Sequence, residues 1–347
     1  LQALDAETGQ TLWTVSVGNP RYPMSAPAAN DRFVATVNGS SLYLLDRITG
    51  EPIWDRPLDI NPSPELTMSG QYVFVPSLTG LLNGYRLPDA EGDYRGAQPW
   101  AYGSGGRLTG APSIAGPTIS WSSTNGHLFV ATLEGPSVLY RHHTNGPVES
   151  RVALIPPDRL VFATRDGYVT ALDAITGAAK WYFSAGVDIT KQPLVNAENT
   201  LVVSRDNQLF CINSEDGSEM WVARGVSQVL SVGAQRLYAR GAQGELITLD
   251  RQTGARLASL PMTRYRHAYA NALTDRIYLM TADGTLLCLR EQGAQIPTIY
   301  PALPQPEEET DGSGTPGVDT APSPDVEPEE PMVDGGIFGG EMFPDDL

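Results

Sequence analysis

The chain has 347 residues, a formal net charge of −17 and two cysteines. Thirteen of its 40 acidic residues lie in 301–347, which contains no Lys or Arg, so residues 1–300 carry 27 acids against 23 bases. This nearly neutral body excludes a nucleic-acid-binding face, which needs a stripe of Lys and Arg, and the sequence has no apolar run long enough for a transmembrane segment.

One short sequence motif recurs along the chain. In each copy an apolar strand ends in Leu-Asp or a variant of it, and a Gly follows. We expect the Asp to accept backbone hydrogen bonds as an Asx turn, the Gly to take a positive φ and a following Trp to lie in a seam between sheets. The copies are Asp5 with Gly9 and Trp13, Asp46 with Gly50 and Trp54, Asp173 with Gly177 and Trp181, Asn213 with Gly217 and Trp221, Asp250 with Gly254, and a weaker copy at Arg290 with Gly293.

A tighter hairpin precedes each copy, and two hairpins in every period of about 40 residues predict an all-β propeller of four-stranded blades. Two further repeats are weaker. One covers 65–100 and carries an insertion at 88–99, and the other covers 111–152, where we interpret 142–146, with His142 and His143, as a surface turn. The tight turns are Asn38-Gly39, Thr79-Gly80, Asp166-Gly167, Asp206-Asn207, Gln243-Gly244 and Asp283-Gly284.

Counting gives eight repeat slots, of which the first and last are incomplete. We therefore expect a propeller at 1–296 with eight blades in the parent protein; the alternative has seven, with Thr11–Val17 completing the last blade. The chain starts inside a strand, so its beginning is expected to be cropped or processed. Residues 297–347 are rich in Pro, Gly and acids, and predict a disordered tail because they cannot bury enough apolar surface to fold.

The recurring sequence motif resembles the PQQ-like repeat of quinoprotein-type propellers, most closely at Ala3–Gly9 with Trp13 and at Ala171–Gly177 with Trp181. The resemblance implies an eight-bladed propeller of the bacterial periplasm or cell envelope. Within this family the chain is most similar to the non-catalytic scaffold type. That similarity implies envelope protein partners, no nucleic acid, and no catalytic, metal or cofactor-binding residue.

Two alternatives of function stay open: a PQQ-dependent oxidoreductase, and a propeller that binds a small ligand or sugar in its central funnel. Quinoprotein dehydrogenases of the family hold PQQ with a calcium ion, and many stack it against a bond between adjacent cysteines. Cys211 and Cys288 are far apart in this sequence, and we interpret both as packing residues. A bound PQQ is therefore not expected.

The residues that break the repeat are the candidates for contact with a partner, because exposed aromatic and Arg side chains on rigid loops are typical interface material. The alternative interpretation is that these stretches are ordinary solvated loops and a spacer. The candidates are Tyr94, Arg95, Trp100 and Tyr102 in an inserted stretch taken here as 89–102, Arg264, Tyr265 and Arg266 in a connection between blades, and Phe338 and Phe343 near the end of the tail.

Overall fold

The computed structural model describes residues 1–88, 99–133, 137–271 and 273–298. These residues form 29 β-strands, which are arranged in eight antiparallel sheets. Within the same ranges there is no α-helix, and hence no helix long and apolar enough to cross a membrane. The prediction of an all-β propeller is confirmed.

Each sheet, or blade, is a meander in which strands adjacent in sequence pair with one another. Six blades have four strands, blade 1 has two and blade 8 has three. Blades 1 to 4 consist of β1 (Gln2–Leu4) and β2 (Thr11–Thr14); β3 (Ala28–Ala29), β4 (Phe33–Asn38), β5 (Ser41–Asp46) and β6 (Pro52–Pro57); β7 (Thr67–Met68), β8 (Tyr72–Pro76), β9 (Leu81–Arg86) and β10 (Trp100–Gly103); and β11 (Ser113–Ala115), β12 (Thr118–Ser123), β13 (His127–Thr132) and β14 (Val138–His143).

Blades 5 to 8 continue the same order. They consist of β15 (Ala153–Ile155), β16 (Arg159–Ala163), β17 (Tyr168–Asp173) and β18 (Ala179–Ser184); β19 (Leu194–Val195), β20 (Asn199–Val203), β21 (Gln208–Asn213) and β22 (Glu219–Arg224); β23 (Val226–Val232), β24 (Arg236–Gly241), β25 (Leu246–Asp250) and β26 (Arg256–Leu260); and β27 (Tyr265–Tyr269), β28 (Ile277–Thr281) and β29 (Leu286–Leu289).

The hydrophobic core is divided among the seams between blades. The first strands of successive blades contact one another, β3 with β7, β7 with β11, β11 with β15 and β15 with β19. Six apolar clusters follow this order, one for each neighbouring pair from blades 2 and 3 to blades 7 and 8. The sheets of blades 2 to 8 are therefore covered by side chains of their neighbours, as radial packing requires.

The turn between the third and fourth strands of a blade is fixed by its recurring Asp or Asn. In five copies the side-chain oxygen accepts a backbone N–H two or three residues ahead at 2.7–2.8 Å. The turn Gly donates its own N–H back to the carbonyl of the same Asp or Asn at 2.9–3.0 Å. In blade 5 the backbone N–H of Thr176 is the largest of several causes that lower the pKa of Asp173 to about 2.

The recurring Trp of one blade covers the turn glycine of the next. The indole N–H of Trp181 in β18 donates to the carbonyl of Ser214 in blade 6 at 2.9 Å. Gly217 in the same turn has a φ of 77°, and a Cβ on it would lie 2.7 Å from the Trp181 ring. Both the backbone and the ring therefore require glycine there. Trp13 and Trp221 cover the glycines of blades 2 and 7 in the same way.

Tyr140 takes the place of this Trp in blade 4. It lies opposite Val130 in the strand register that Trp181 occupies one blade later. Its hydroxyl donates to the Asp173 carbonyl at 3.1 Å, and its ring would lie 2.8 Å from a Cβ on Gly177. Burial raises the pKa of Tyr140 from 10 to about 12, so the hydroxyl stays protonated and keeps donating above the pH at which an exposed Tyr ionises.

The ring closes between blade 8 and blade 1 through Arg276, whose side chain is 1 % exposed. Its Nε lies 2.9 Å from a carboxylate oxygen of Glu7 in the turn of blade 1, and its Nη1 lies 2.8 Å from Asp275. In the described ranges β2 pairs with β1 and not with β29. The eight-slot prediction is therefore confirmed, and the seven-blade alternative is wrong.

Two local predictions in blades 3 and 4 were wrong. His142 and His143 end strand β14 and do not form a turn. The prediction failed because Thr132 stands where other repeats have Asp and Tyr140 replaces the Trp, so the sequence does not reveal the strand register of blade 4. Trp100 and Tyr102 belong to β10, the fourth strand of blade 3, and not to an inserted loop.

Candidate interaction surface

The turns between the second and third strands of the blades form one surface together with the segments that connect successive blades. We call this surface the turn face. Its parts are joined by backbone hydrogen bonds, from Arg165 N–H to the carbonyl of Pro147 at 2.8 Å and from Arg205 N–H to the carbonyl of Asp188 at 2.8 Å. Side chains on it therefore project from backbone that is held in place, the condition under which loop residues recognise partners.

Four charged side chains form a row across blades 4, 5 and 6 on the turn face. Arg165 lies 3.2 Å from Glu149 and 4.0 Å from Asp188, and Arg205 lies 3.1 Å from Asp188. The side chains are between 34 % and 65 % exposed. Exposed ion pairs of this kind contribute only about 0–1 kcal/mol each to stability, so this charged row is not needed to hold the fold and remains accessible to a partner.

A cleft of about 450 Å³ adjoins the charged row at Glu149. It mixes apolar, hydroxyl and charged groups, and its Leu78 side chain is 56 % exposed. An apolar anchor surrounded by polar groups is the usual composition of a protein interface. The cleft is lined by Ser63, Ser77, Leu78, Arg107, Leu108, Thr109, Thr124 and Glu149.

Of the predicted contact residues, Trp100 and Tyr102 lie in an aromatic cluster between blades 3 and 4. Their ring centres are 6.2 Å apart, and Trp100 lies 5.9 Å from the buried ring of Trp121. Trp100 stands opposite Gly84, the register position that the recurring Trp takes in other blades. Both rings are half-buried, so packing accounts for them, and a role in contact stays a prediction.

The second predicted group lies at the start of blade 8, where only Arg264 is in the connection between blades. The prediction was wrong for Tyr265 and Arg266, which belong to strand β27. Arg264 and Arg266 are exposed, and the half-buried Tyr265 packs on the seam with blade 7. The Arg266 carbonyl accepts a hydrogen bond from Arg240 at 3.3 Å. The structure therefore separates this group from the aromatic cluster of Trp100. Tyr94, Arg95, Phe338 and Phe343 lie outside the described residues.

Sequence reasoning missed the charged row because its four members belong to three different repeats. One signal was present. Thr164-Arg165-Asp166 and Ser204-Arg205-Asp206 place Arg at the same turn position in successive blades, and equivalent turn positions share one face of a propeller. The acidic partners Glu149 and Asp188 lie in connecting segments, which have no common pattern.

The two thiols are unpaired. Cys211 is buried in the seam of blades 6 and 7, and burial raises its pKa to about 11. Cys288 is half-buried, and burial also raises its pKa. Both are protonated at neutral pH, which makes them weak nucleophiles and weak metal ligands. In the described part of the chain no three His, Cys, Asp or Glu side chains come together as a metal cluster.

Radial sheets joined by these seams place the chain among the β-propellers with PQQ-like repeats. The model of the PQQ_2 family, described as outer membrane protein assembly factor BamB, matches residues 1–93 and 96–298, and the chain belongs to this family.

Two curated relatives are named outer membrane protein assembly factor BamB. The protein of Burkholderia pseudomallei is 27 % identical over 241 residues, which cover 61 % of this chain and 58 % of the relative. The protein of Bordetella pertussis is 27 % identical over 195 residues, which cover 54 % of this chain and 50 % of the relative. The matches therefore span 58 % and 50 % of the length of these relatives.

Two solved structures show the same fold. The crystal structure of BamB from Moraxella catarrhalis matches with a TM-score of 0.67 at 18 % identity, covering 83 % of this chain and 88 % of that chain. The computationally designed Ika8 protein matches with a TM-score of 0.62 at 14 % identity, covering 84 % and 90 %.

Proposed function

We propose that this protein is a non-enzymatic scaffold of the bacterial cell envelope, on the periplasmic side, and that it holds a protein partner on its turn face. The observation that carries the proposal is the charged row beside the cleft at Glu149. The row offers alternating charges on fixed backbone, and the cleft offers an apolar anchor point. Such a surface suits a folded domain or segment with complementary charges, since charge pattern gives an interface its register and partner choice.

Membership of the family also supports the proposed scaffold function. Both curated relatives are named for the assembly of outer membrane proteins, so the proposed partner of this chain is a component of that assembly. The proposal includes no catalytic residue and no bound PQQ. In support, the recurring Asp residues use their carboxylates within their own turns, and Cys211 and Cys288 lie in different blades.

The test compares two surface arginines of equal exposure. Arg165 in the charged row is 51 % exposed, and Arg47 is 52 % exposed with one acid, Asp31, at 3.7 Å. Arg47 follows a third strand, so it lies at the opposite end of the blades. A photo-activated crosslinker is placed at position 243, in the exposed turn of blade 7 and outside the charged row, of the wild-type, Arg165→Glu and Arg47→Glu proteins in cells, and the captured proteins are identified by mass spectrometry.

We expect wild type and Arg47→Glu to capture the same outer-membrane assembly component, and Arg165→Glu to lose at least nine-tenths of it. Equal capture by all three proteins would show that Arg165 does not contribute to partner binding and would contradict the proposal that the partner binds at the charged row of the turn face. Purified protein titrated with PQQ gives the second readout. Stoichiometric binding with dye reduction would overturn the non-enzymatic assignment in favour of an oxidoreductase.

A further inference from the structure

We propose that His127 and His143 form a binding site for a divalent transition-metal ion of the class that imidazole prefers, such as Ni²⁺ or Zn²⁺. His127 begins β13 and His143 ends β14, and the two residues stand directly opposite each other in the strand register. Their ring centres are 5.3 Å apart, and the ring planes meet at 63°. Opposite residues of paired strands hold their side chains next to each other on one face, so the sheet itself brings the two imidazoles together.

The separation of the rings fits shared coordination. An imidazole nitrogen binds Zn²⁺ at about 2.0–2.1 Å, and the centre of the ring lies about 1.1 Å behind that nitrogen. Two imidazoles directed at one tetrahedral ion therefore have ring centres about 5.2 Å apart. The observed separation of 5.3 Å matches this value, so the strand register already holds the two rings at the distance that a shared ion requires.

An unsatisfied nitrogen supplies the second observation. The Nδ1 atom of His127 is buried and has no hydrogen-bond partner in the described structure. A buried polar atom without a partner costs free energy, and coordination to a metal would remove that cost. His143 is exposed, so an ion can enter from solvent.

The described residues supply only part of the coordination shell. No third His, Cys, Asp or Glu among them joins the pair, so water or groups outside the described residues fill the remaining positions. Soft and borderline divalent ions accept two imidazoles, whereas Mg²⁺ and Ca²⁺ require oxygen ligands. The site therefore selects Ni²⁺ or Zn²⁺ over the alkaline-earth ions and exchanges with free metal.

The experiment titrates chelator-stripped full-length protein with Ni²⁺ by calorimetry, beside the variants His127→Gln, His143→Gln and His142→Gln. His142 is the matched control, because it neighbours His143 but points to the other face of β14, with its ring 5.9 Å from Phe162. We expect each of the first two variants to bind at least tenfold more weakly and His142→Gln to bind as wild type does. The acidic tail is common to all four proteins, so its own weak binding forms an equal background.

Nuclear magnetic resonance of ¹⁵N-labelled imidazoles gives a readout that does not depend on affinity. Zn²⁺ should shift the ring nitrogens of His127 and His143 together and leave those of His142 in place. Equal affinity of wild type and His127→Gln, or a shift confined to one of the two rings, would overturn the site. Melting curves of the variants check that each is folded, and the result is independent of the partner-capture experiment.

Discussion

Replacement of Arg276 by Met tests the closure of the ring. The guanidinium group is buried between Glu7, Asp275 and the carbonyl of Gln295, with donor–acceptor distances of 2.8–3.3 Å. Removal of one partner from a buried ion pair costs about 3–5 kcal/mol. Glu7 is 37 % exposed, so solvent screens its share, and the lower limit of about 3 kcal/mol is expected. Glu7→Gln keeps a hydrogen-bond acceptor at this screened position and should cost about 1 kcal/mol.

Arg159 provides the matched control. It holds the equivalent position in blade 5, but its guanidinium donates to backbone carbonyls, those of Ser214 at 3.1 Å and Glu215 at 3.4 Å. Arg159→Met should cost about 0.5–1.5 kcal/mol. Urea unfolding at pH 7, followed by Trp fluorescence, measures all three variants, and hydrogen exchange of β1 and β2 locates the opening. If Arg276→Met is no more destabilising than Arg159→Met, or if β1 and β2 exchange no faster, the guanidinium does not close the ring.

Two further predictions concern the seams and the turns. Trp181 is 5 % exposed, so Trp181→Ala should lower the free energy of unfolding by about 3–5 kcal/mol. The neighbouring Tyr182 is 62 % exposed, so the free energy of unfolding of Tyr182→Ala should stay within about 0.5 kcal/mol of wild type. Equal urea midpoints for the two variants would contradict this prediction. The folded-state pKa of Asp173, about 2, lies below its ordinary value of 3.8, so its ionised form stabilises the fold above pH 4, and this stabilisation is lost as the pH falls towards 2. Asp173→Asn should flatten that part of the plot of urea midpoint against pH, because Asn213 makes the same turn with an amide; an unchanged slope would exclude Asp173 as its source.

The blades were predictable because their signals are local. Asp5 and Thr8, for example, form their hydrogen bond within one turn, and Gly and Asp reveal such turns wherever they occur. The strand register of blade 4 could not be predicted, because Thr132 and Tyr140 replace the recurring Asp and Trp. The Tyr140 hydroxyl makes the hydrogen bond across the seam that the Trp indole makes in other blades.

Long-range pairs were not predictable from the pattern. Glu7 and Arg276 are 269 residues apart in sequence and meet only because the ring closes. His127 and His143 face each other through the register of β13 with β14, and the sequence around these strands lacks the recurring motif that reveals the register of other blades. The charged row depends likewise on which connecting segment lies beside which turn. The recurring motif therefore predicts the fold, but it does not predict these pairs.

The three indole hydrogen bonds across the seams all run in one direction, from the last strand of a blade to the turn of its successor. A substitution at Gly217 would therefore be felt first by the preceding blade, whose Trp181 lies against it. Blades 5 and 6 carry both halves of this joint, since Gly177 and Gly217 lie against the ring of the preceding blade and Trp181 and Trp221 lie against the glycine of the next. Duplication or loss of either whole repeat in evolution thus leaves the neighbouring joints complete, whereas a break inside one of these repeats leaves two joints incomplete.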